Sequence, residues 1–169
     1  MMGGPWGRLG RGLLGAGLML WLWLGTANWA IASVHEYPEG GGSVMVRSLQ
    51  TLRDRHDGAW QVVLFKRARA GRTEQIHLRL VGFPGEVAFQ HPAPLPLASR
   101  DQGWLAPDSL AEESPLPTNV GEYDVLQPMT ELTANTALRL FLPTQTGTVE
   151  LTVPSTVVKE WRDVSALSR

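Results

Sequence analysis

Alternating apolar and polar positions recur along the chain in short runs that predict β-strands. In QIHLRLVGF, residues 75–83, Ile76, Leu78 and Leu80 alternate with polar side chains, the period-2 pattern of a strand with one buried face. Residues 138–142 and 149–153 alternate in the same way, and the PTQTGT segment between them predicts a hairpin loop. Several short strands separated by turns predict a mainly β fold, either an antiparallel sandwich or an open barrel.

A longer hairpin is predicted around RDRHDG, residues 53–58. A three-residue loop at residues 56–58, with Gly58 in the left-handed region, pairs Arg53 with Gln61 and separates the side chains into two distinct faces. The inward face then carries Val46, Leu52, Trp60, Val62 and Leu64. The opposite face carries Arg47, Leu49, Thr51, Arg53, Arg55, Gln61, Val63, Phe65 and Arg67.

This opposite face is the candidate interaction surface. It has an apolar centre of Leu49, Val63 and Phe65, rimmed by Arg47, Arg53, Arg55 and Arg67. Arginine and aromatic residues are enriched at protein interfaces, so the face is predicted to dock on an acidic protein or on anionic lipid headgroups. The alternative is that it packs beneath an acidic, proline-rich segment of the same chain, with its arginines paired internally.

That proline-rich segment covers residues 91–120 and holds six prolines and four acidic residues. Proline lacks the N–H that a β-ladder needs, so the segment predicts either a long loop or a set of very short edge strands. At the C-terminus, PSTVVKEWRDVSAL begins with a proline suited to a first helical position and places Val157, Trp161 and Val164 at i, i+4 and i+7. This spacing predicts a short amphipathic helix docked on the sheet.

The N-terminus has the layout of a secretory signal. Arg8 and Arg11 precede an uncharged apolar stretch, and Ala30-Ile31-Ala32 offers the small-x-small pattern for cleavage after Ala32. Residues 1–32 are therefore predicted to be a signal peptide and residues 33–169 a single β-rich domain. The alternative is a retained membrane span, for which the uncharged stretch is just long enough. Either way the domain is predicted to be exported, to a periplasm or a thylakoid lumen.

Composition narrows the function classes. The chain has no cysteine, which excludes disulfides, thiolate zinc sites and iron–sulfur clusters. Charge is uneven: residues 47–79 carry eight basic and three acidic residues, whereas residues 80–169 carry five basic and eleven acidic ones. Because the domain is acidic overall and predicted to lie outside the cytoplasm, bulk nucleic-acid binding is not expected.

Catalytic patterns are weak. The four histidines, His35, His56, His77 and His91, share no metal-ligand spacing, and the serines lack a nucleophile-elbow motif. His56 next to Asp57 is typical of turn chemistry rather than of an acid–base pair. We therefore expect neither an enzyme nor a cofactor or metal site.

Three stretches of the chain resemble a small uncharacterised family of exported cyanobacterial proteins. They are the VRSLQTLRDRHDGAWQVVLFKR cluster at residues 46–67, the HLRLVGFPG strand and turn at residues 77–85, and the VPSTVVKEW signature at residues 153–161. The resemblance transfers no activity and no catalytic residues. It implies a periplasmic or lumenal setting in a photosynthetic bacterium.

Two functions remain open at this point. The first is a non-enzymatic accessory or assembly protein that docks on the lumenal or periplasmic side of a membrane complex, with Phe65 and Arg53 exposed to solvent. The second is a β-barrel carrier of a small hydrophobic ligand, such as a lipid or pigment, with a pocket lined by Trp60, Leu64, Leu78 and Trp104. A weaker third option is a hydrolase, which would need two histidines and a carboxylate in one cleft.

Overall fold

The structure is a computed structural model that describes residues 33–39, 43–69, 72–110 and 117–167. The predicted signal peptide, residues 1–32, lies outside the described residues. Along the described residues the chain forms strands β1 (Ser33–Glu39), β2 (Ser43–Arg53), β3 (Ala59–Arg69), β4 (Arg72–Val81), β5 (Leu95–Ala98), β6 (Gly103–Ala106), β7 (Val120–Asp124), β8 (Leu138–Thr144) and β9 (Gly147–Val153). The helices are α1 (Leu126–Glu131) and α2 (Ser155–Ala166).

The strands form two antiparallel sheets around one core, which confirms the predicted mainly β fold. Sheet 1 has the order β1-β2-β3-β4-β7, and sheet 2 has the order β6-β5-β8-β9. The apolar positions of the predicted alternating strands point inward and are buried, and they include Ile76, Leu78, Leu80, Leu138, Leu140, Leu142, Leu151 and Val153. Burying alternate residues from both sheets is the packing of a β-sandwich.

The hairpin between β2 and β3 has the predicted faces but not the predicted register. Arg53 pairs with Ala59, so the loop has five residues, 54–58, instead of three. The left-handed residue is Asp57, with a φ of 67°, and not Gly58. The register differs from the predicted one by two residues, and an even shift leaves every side chain on its original face. Trp60 therefore still points into the core.

Of the two alternatives predicted for the proline-rich segment, its described part forms short strands rather than a long loop. It supplies the hairpin of β5 and β6, with β6 at the edge of sheet 2. The prediction of edge strands is wrong for β5, which lies between β6 and β8 because residues 97 and 98 pair with β8. Strands β1 and β7 and the short helix α1 were not predicted, since none of them has a clear apolar period.

Helix α2 packs on the inner face of β2 and β3. Val157, Trp161 and Val164 are buried as predicted, although Pro154 is the N-cap residue rather than the first helical one. At the helix C-terminus, the buried Lys66 of β3 donates from Nζ to the carbonyl oxygens of Ser165, at 2.6 Å, and Leu167, at 2.7 Å. A cation at this end of a helix complements the helix dipole. Burial lowers the pKa of the Lys66 amine.

Candidate functional site on the outer face of sheet 1

Six of the seven predicted interaction residues share the outer face of β2 and β3. In the register of this hairpin, Arg47 lies opposite Phe65 and Leu49 lies opposite Val63, and directly paired residues project from the same side of a sheet. We call this surface the arginine face; its residues are Arg47, Leu49, Arg53, Val63, Phe65 and Arg67. Leu49 is 37% exposed and Val63 is partly exposed.

Arg55 was wrongly assigned to this surface. With a five-residue loop, Arg55 no longer belongs to β2, and its guanidinium forms an ion pair with Glu150 of β9. The physical reason is that the chain leaves the sheet after Arg53, so the side chain of Arg55 is free to reach sheet 2.

Phe65 lies on the predicted face, but the expectation that it is exposed is wrong: only 7% of the residue is accessible. The guanidinium carbons of Arg67 and Arg79 lie 5.5 and 5.6 Å from the ring centroid, and the His77 ring centroid lies 5.4 Å away. Long cationic side chains commonly lie flat over an aromatic ring, which gains a cation–π attraction and keeps the charge in water. The Phe65 ring is therefore covered by guanidinium groups.

Glu122, on β7, links two of the side chains around Phe65. One carboxylate oxygen lies 2.9 Å from Nδ1 of His77, and the other accepts from Nε of Arg79 at 2.7 Å. Burial alone would raise the pKa of Glu122, but the hydrogen bonds and positive charges of His77 and Arg79 lower it more, and its pKa lies below the ordinary value of 4.5. The carboxylate holds Arg79 in place over the ring.

The loop that follows β2 is organised by Asp54. Its Oδ1 accepts from the backbone N–H groups of His56, at 2.8 Å, and Gly58, at 2.9 Å, and its Oδ2 accepts from Nε1 of Trp60 at 2.9 Å. Burial would raise the pKa of Asp54, but these three hydrogen bonds lower it more. Arg53 then donates from Nη1 to the carbonyl oxygen of Asp57 at 2.7 Å. The charged turn is thus held by hydrogen bonds within residues 53–60, and its Arg55 reaches out to Glu150.

The alternative, in which the arginines are paired within the chain beneath the acidic segment, holds in part: Arg53 and Arg55 are paired internally, but not with carboxylates of that segment. Arg53 pairs with Asp57, Arg55 with Glu150, and Arg79 with Glu122, and these three carboxylates lie outside residues 91–120. Arg47 and Arg67 have further interactions of their own. Glu112 and Glu113, within the proline-rich segment, lie outside the described residues.

Two histidines form separate pairs with carboxylates. His77 contacts Glu122 on the outer face of sheet 1, whereas Nδ1 of His91 lies 2.7 Å from a carboxylate oxygen of Asp108. Nε2 of His91 also lies 3.1 Å from the carbonyl oxygen of Val120, so both of its ring nitrogens are engaged. Within the described residues, no group of three or more histidine, aspartate or glutamate side chains is arranged to hold a metal ion.

The four residues expected to line a ligand pocket all belong to the buried core. Trp60, Leu64 and Leu78 are buried in the cluster that both sheets share. Trp104 is also buried, and its Nε1 donates to Oε2 of Glu131 at 2.7 Å. Trp104 borders a shallow surface groove that it shares with the exposed Leu105 and with Phe141.

Sequence reasoning missed the contribution of Arg79, His77 and Glu122 to this site. The alternation of β4 already placed Arg79 and His77 on one side, so their common orientation was available from the pattern. Their position beside Phe65 depends on β4 pairing with β3, and Glu122 depends on β7 pairing with β4. Strand order is a long-range property that a local pattern does not contain.

The fold and this surface define a mainly β, two-sheet protein with an arginine-rich outer face built on its central hairpin. Residues 32–164 match the family model described as protein of unknown function (DUF3122), and the chain belongs to that family. Neither the curated proteins nor the solved structures gave a match. Among the described residues, no helix combines the length and the apolar character needed to cross a membrane.

Proposed function

We propose that this protein is a non-enzymatic, exported accessory or assembly protein that docks on the periplasmic or lumenal side of a membrane complex. The observation that carries the proposal is the arginine face together with its neighbour Arg79. The resemblance of the chain to exported cyanobacterial proteins supports a photosynthetic setting for that complex.

The charge of the outer face favours an acidic partner. The described side chains on the outer sides of β2, β3, β4 and β7 include four arginines, Arg47, Arg53, Arg67 and Arg79, against the carboxylates Glu122 and Asp124. The side chains of Arg53 and Asp57 are both exposed, and surface ion pairs contribute only about 0–1 kcal/mol, so Arg53 can exchange Asp57 for a carboxylate on another protein at little cost. Complementary charge also speeds the encounter of two proteins.

The geometry favours a protein surface as partner. Arg67 and Arg79 are held over the Phe65 ring, which reduces the side-chain entropy that they would lose on binding. The partly exposed Leu49 and Val63 lie beside them and add apolar contact area. Ordered arginines beside apolar side chains are the composition of many interface centres.

The test is co-purification of the tagged full-length chain from membranes of its own host. The double variant Arg53→Glu/Arg67→Glu should lose the partner complex, while Arg53→Glu alone should weaken it. The matched control is Arg100→Glu/Arg139→Glu, which makes the same change in charge on sheet 2 and its β5–β6 connection and should leave recovery unchanged.

Thermal melting separates loss of docking from loss of fold. The Arg53 side chain is 62% exposed, so Arg53→Glu should melt within about 2 °C of the wild type. Recovery of the complex at wild-type yield by the double variant, with the fold intact, would refute the proposal. Equal losses in the double variant and in the sheet 2 control would refute it as well.

A further inference from the structure

Strand β6, residues 103–106, leaves one edge of sheet 2 open. Among the described strands it pairs with β5 alone and stands at the end of the order β6-β5-β8-β9. Within this hairpin the N–H of Ser99 donates to the carbonyl oxygen of Gln102, which marks these two residues as a hydrogen-bonded pair. Because hydrogen-bonded and non-hydrogen-bonded pairs alternate along antiparallel strands, Gly103 and Leu105 direct their N–H and carbonyl groups away from β5.

The position of Pro96 agrees with this alternation. Pro96 lies opposite Leu105, in a pair where neither residue donates to the other, so its missing N–H costs the β5–β6 ladder no bond. Gly103 consists almost entirely of backbone and is exposed, and Leu105 is 66% exposed. Outside the ladder, no backbone hydrogen bond of the described residues uses the N–H groups of these two residues. They are therefore open to pair with an extended segment of another chain.

A shallow groove beside this edge has room for such a segment. It measures about 630 Å³ and is bounded by β5, β6, the middle of β8 and the side chains of Gln127 and Glu131 on α1. Leu105, Pro96 and Phe141 line its apolar side, and each of the three is at least partly exposed. Apolar side chains of an added strand can therefore pack against the groove without displacing any part of the core.

Glu131 gives the groove its charge, since it is the only charged residue among the described residues that line it. Its carboxylate is exposed and oriented: Oε1 accepts from Nε2 of Gln127 at 2.9 Å, and Oε2 accepts from Nε1 of Trp104 at 2.7 Å. These hydrogen bonds lower the pKa of Glu131. Arg139 lies over the Phe141 ring on β8, and β5 separates β8 from β6. The groove therefore favours a cationic side chain at the β6 edge.

We propose that the β6 edge binds an extended segment of a partner protein that carries a lysine or arginine between two apolar residues. Directly opposite residues of paired strands project to the same side. The basic residue, opposite Trp104, points to the side on which the Trp104 indole contacts Glu131, and the apolar residues, opposite Gly103 and Leu105, lie on the outer face. A second copy is a poorer occupant, because pairing β6 with β6 brings Glu131 of both copies to one seam. This inference is independent of the arginine face.

The probe is the peptide Thr-Val-Lys-Val-Thr, acetylated and amidated at its ends, added to the isotope-labelled full-length chain and followed by NMR. Exchange of the Gly103 and Leu105 amides with solvent should slow, whereas that of the Trp104 amide, which is already bonded to β5, should not change. N-methylation of the two valines, whose N–H groups face β6, should weaken binding about tenfold or more. N-methylation of the lysine, whose N–H faces away, should change the affinity by less than about twofold.

Two variants localise the site. Glu131→Gln should weaken the lysine peptide about threefold to fivefold and leave a norleucine version unchanged, because only the charge contact is removed. Leu105→Lys should weaken both peptides about tenfold or more, because a charged lysine on an edge strand opposes strand pairing. The matched control is Phe83→Lys, which makes the same kind of change at a 64% exposed residue on the β4–β5 connection and should bind like the wild type.

Several outcomes would overturn the inference. Absence of peptide binding, full binding after N-methylation of the valines, or equal losses in Leu105→Lys and Phe83→Lys would each remove strand addition at β6. A dimer of the chain that dissociates in Leu105→Lys would assign the edge to a second copy instead. The docking variant Arg53→Glu/Arg67→Glu should bind the peptide like the wild type, so a failure of peptide binding and a failure of co-purification are separate results.

Discussion

Two explanations of why residue 58, in the loop of residues 54–58, is a glycine predict different effects of mutations in that loop. The sequence pattern suggested that Gly58 is needed for a left-handed backbone, whereas the structure gives that conformation to Asp57. At Gly58 a Cβ atom would lie 2.6 Å from Oδ2 of Asp54 and 3.2 Å from its Oδ1. Glycine is therefore required here because the Asp54 carboxylate approaches it closely.

The size of the effect follows from what Asp54 holds. A methyl group at residue 58 displaces a carboxylate that accepts three hydrogen bonds, one of them from the buried indole of Trp60. The two backbone donors are near solvent and can bind water instead, but the indole N–H cannot, and a buried donor without a partner costs about 1–3 kcal/mol. We expect Gly58→Ala to cost about 2–3 kcal/mol and to lower the melting temperature by about 8–12 °C.

A double-mutant cycle decides between the two explanations. In an Asp54→Ala background the close contact is absent, so the further change Gly58→Ala should cost less than about 1 kcal/mol, which is a coupling of about 2 kcal/mol measured by urea unfolding. Asp57→Gly should be neutral or stabilising by up to about 1 kcal/mol, since glycine adopts a positive φ without strain. An equal cost of Gly58→Ala in both backgrounds, together with a destabilising Asp57→Gly, would refute the reasoning.

Three further predictions concern the Glu122 carboxylate on the outer face of sheet 1 and two residues of the interior, Trp161 and Gly121. Glu122→Gln should cost about 1–2 kcal/mol of stability at pH 7. Because the pKa of Glu122 is lowered in the folded state, the stabilisation by its carboxylate is complete above pH 4.5 and is lost as the pH falls through the folded pKa. The stabilities of the variant and the wild type should therefore converge in acid. A gap that persists at pH 2 would contradict this. Trp161→Ala should cost about 3–5 kcal/mol in urea unfolding. Trp161→Phe should cost much less, because the buried Nε1 of Trp161 has no hydrogen-bond partner among the described residues. Equal costs of the two variants would contradict this reasoning. Gly121→Ala should lower the free energy of unfolding by about 1–3 kcal/mol, since its Cβ would lie 2.8 Å from Oη of Tyr123 and 2.9 Å from Cε1 of Phe89. An unchanged melting temperature would show that these two rings can move aside without cost.

The sequence predicts those parts of the fold in which the direction of a side chain is set by the apolar pattern of its neighbours along the chain. Ile76, Leu78 and Leu80 alternate strictly, and strict alternation leaves one way to bury them. The same holds for the apolar positions of β8 and β9 and for the i, i+4, i+7 spacing of α2. Even the wrong loop length between β2 and β3 preserved the faces, because the error in register was an even number of residues.

The parts that could not be predicted depend on neighbours that are distant in sequence. Phe65 has the right direction, but its exposure is decided by Arg79, which comes from the next strand, and Arg79 is held by Glu122 from a strand that shows no apolar period. Arg55 was placed on the wrong surface because two extra loop residues turn its side chain towards Glu150. Each of these contacts requires a strand order or a loop geometry that local patterns leave open.

The lysine beneath the last helix has a consequence for how the chain becomes folded. Lys66 occupies the middle of the polypeptide, yet the carbonyl groups that its amine requires lie about a hundred residues later, at the very end of the described chain. Before residues 165–167 have docked, pairing of the central strands would bury the Lys66 ammonium group without hydrogen-bond acceptors, which is strongly unfavourable. The core around Lys66 can therefore close only after residues 165–167 have docked against β3, a contact between residues far apart in sequence.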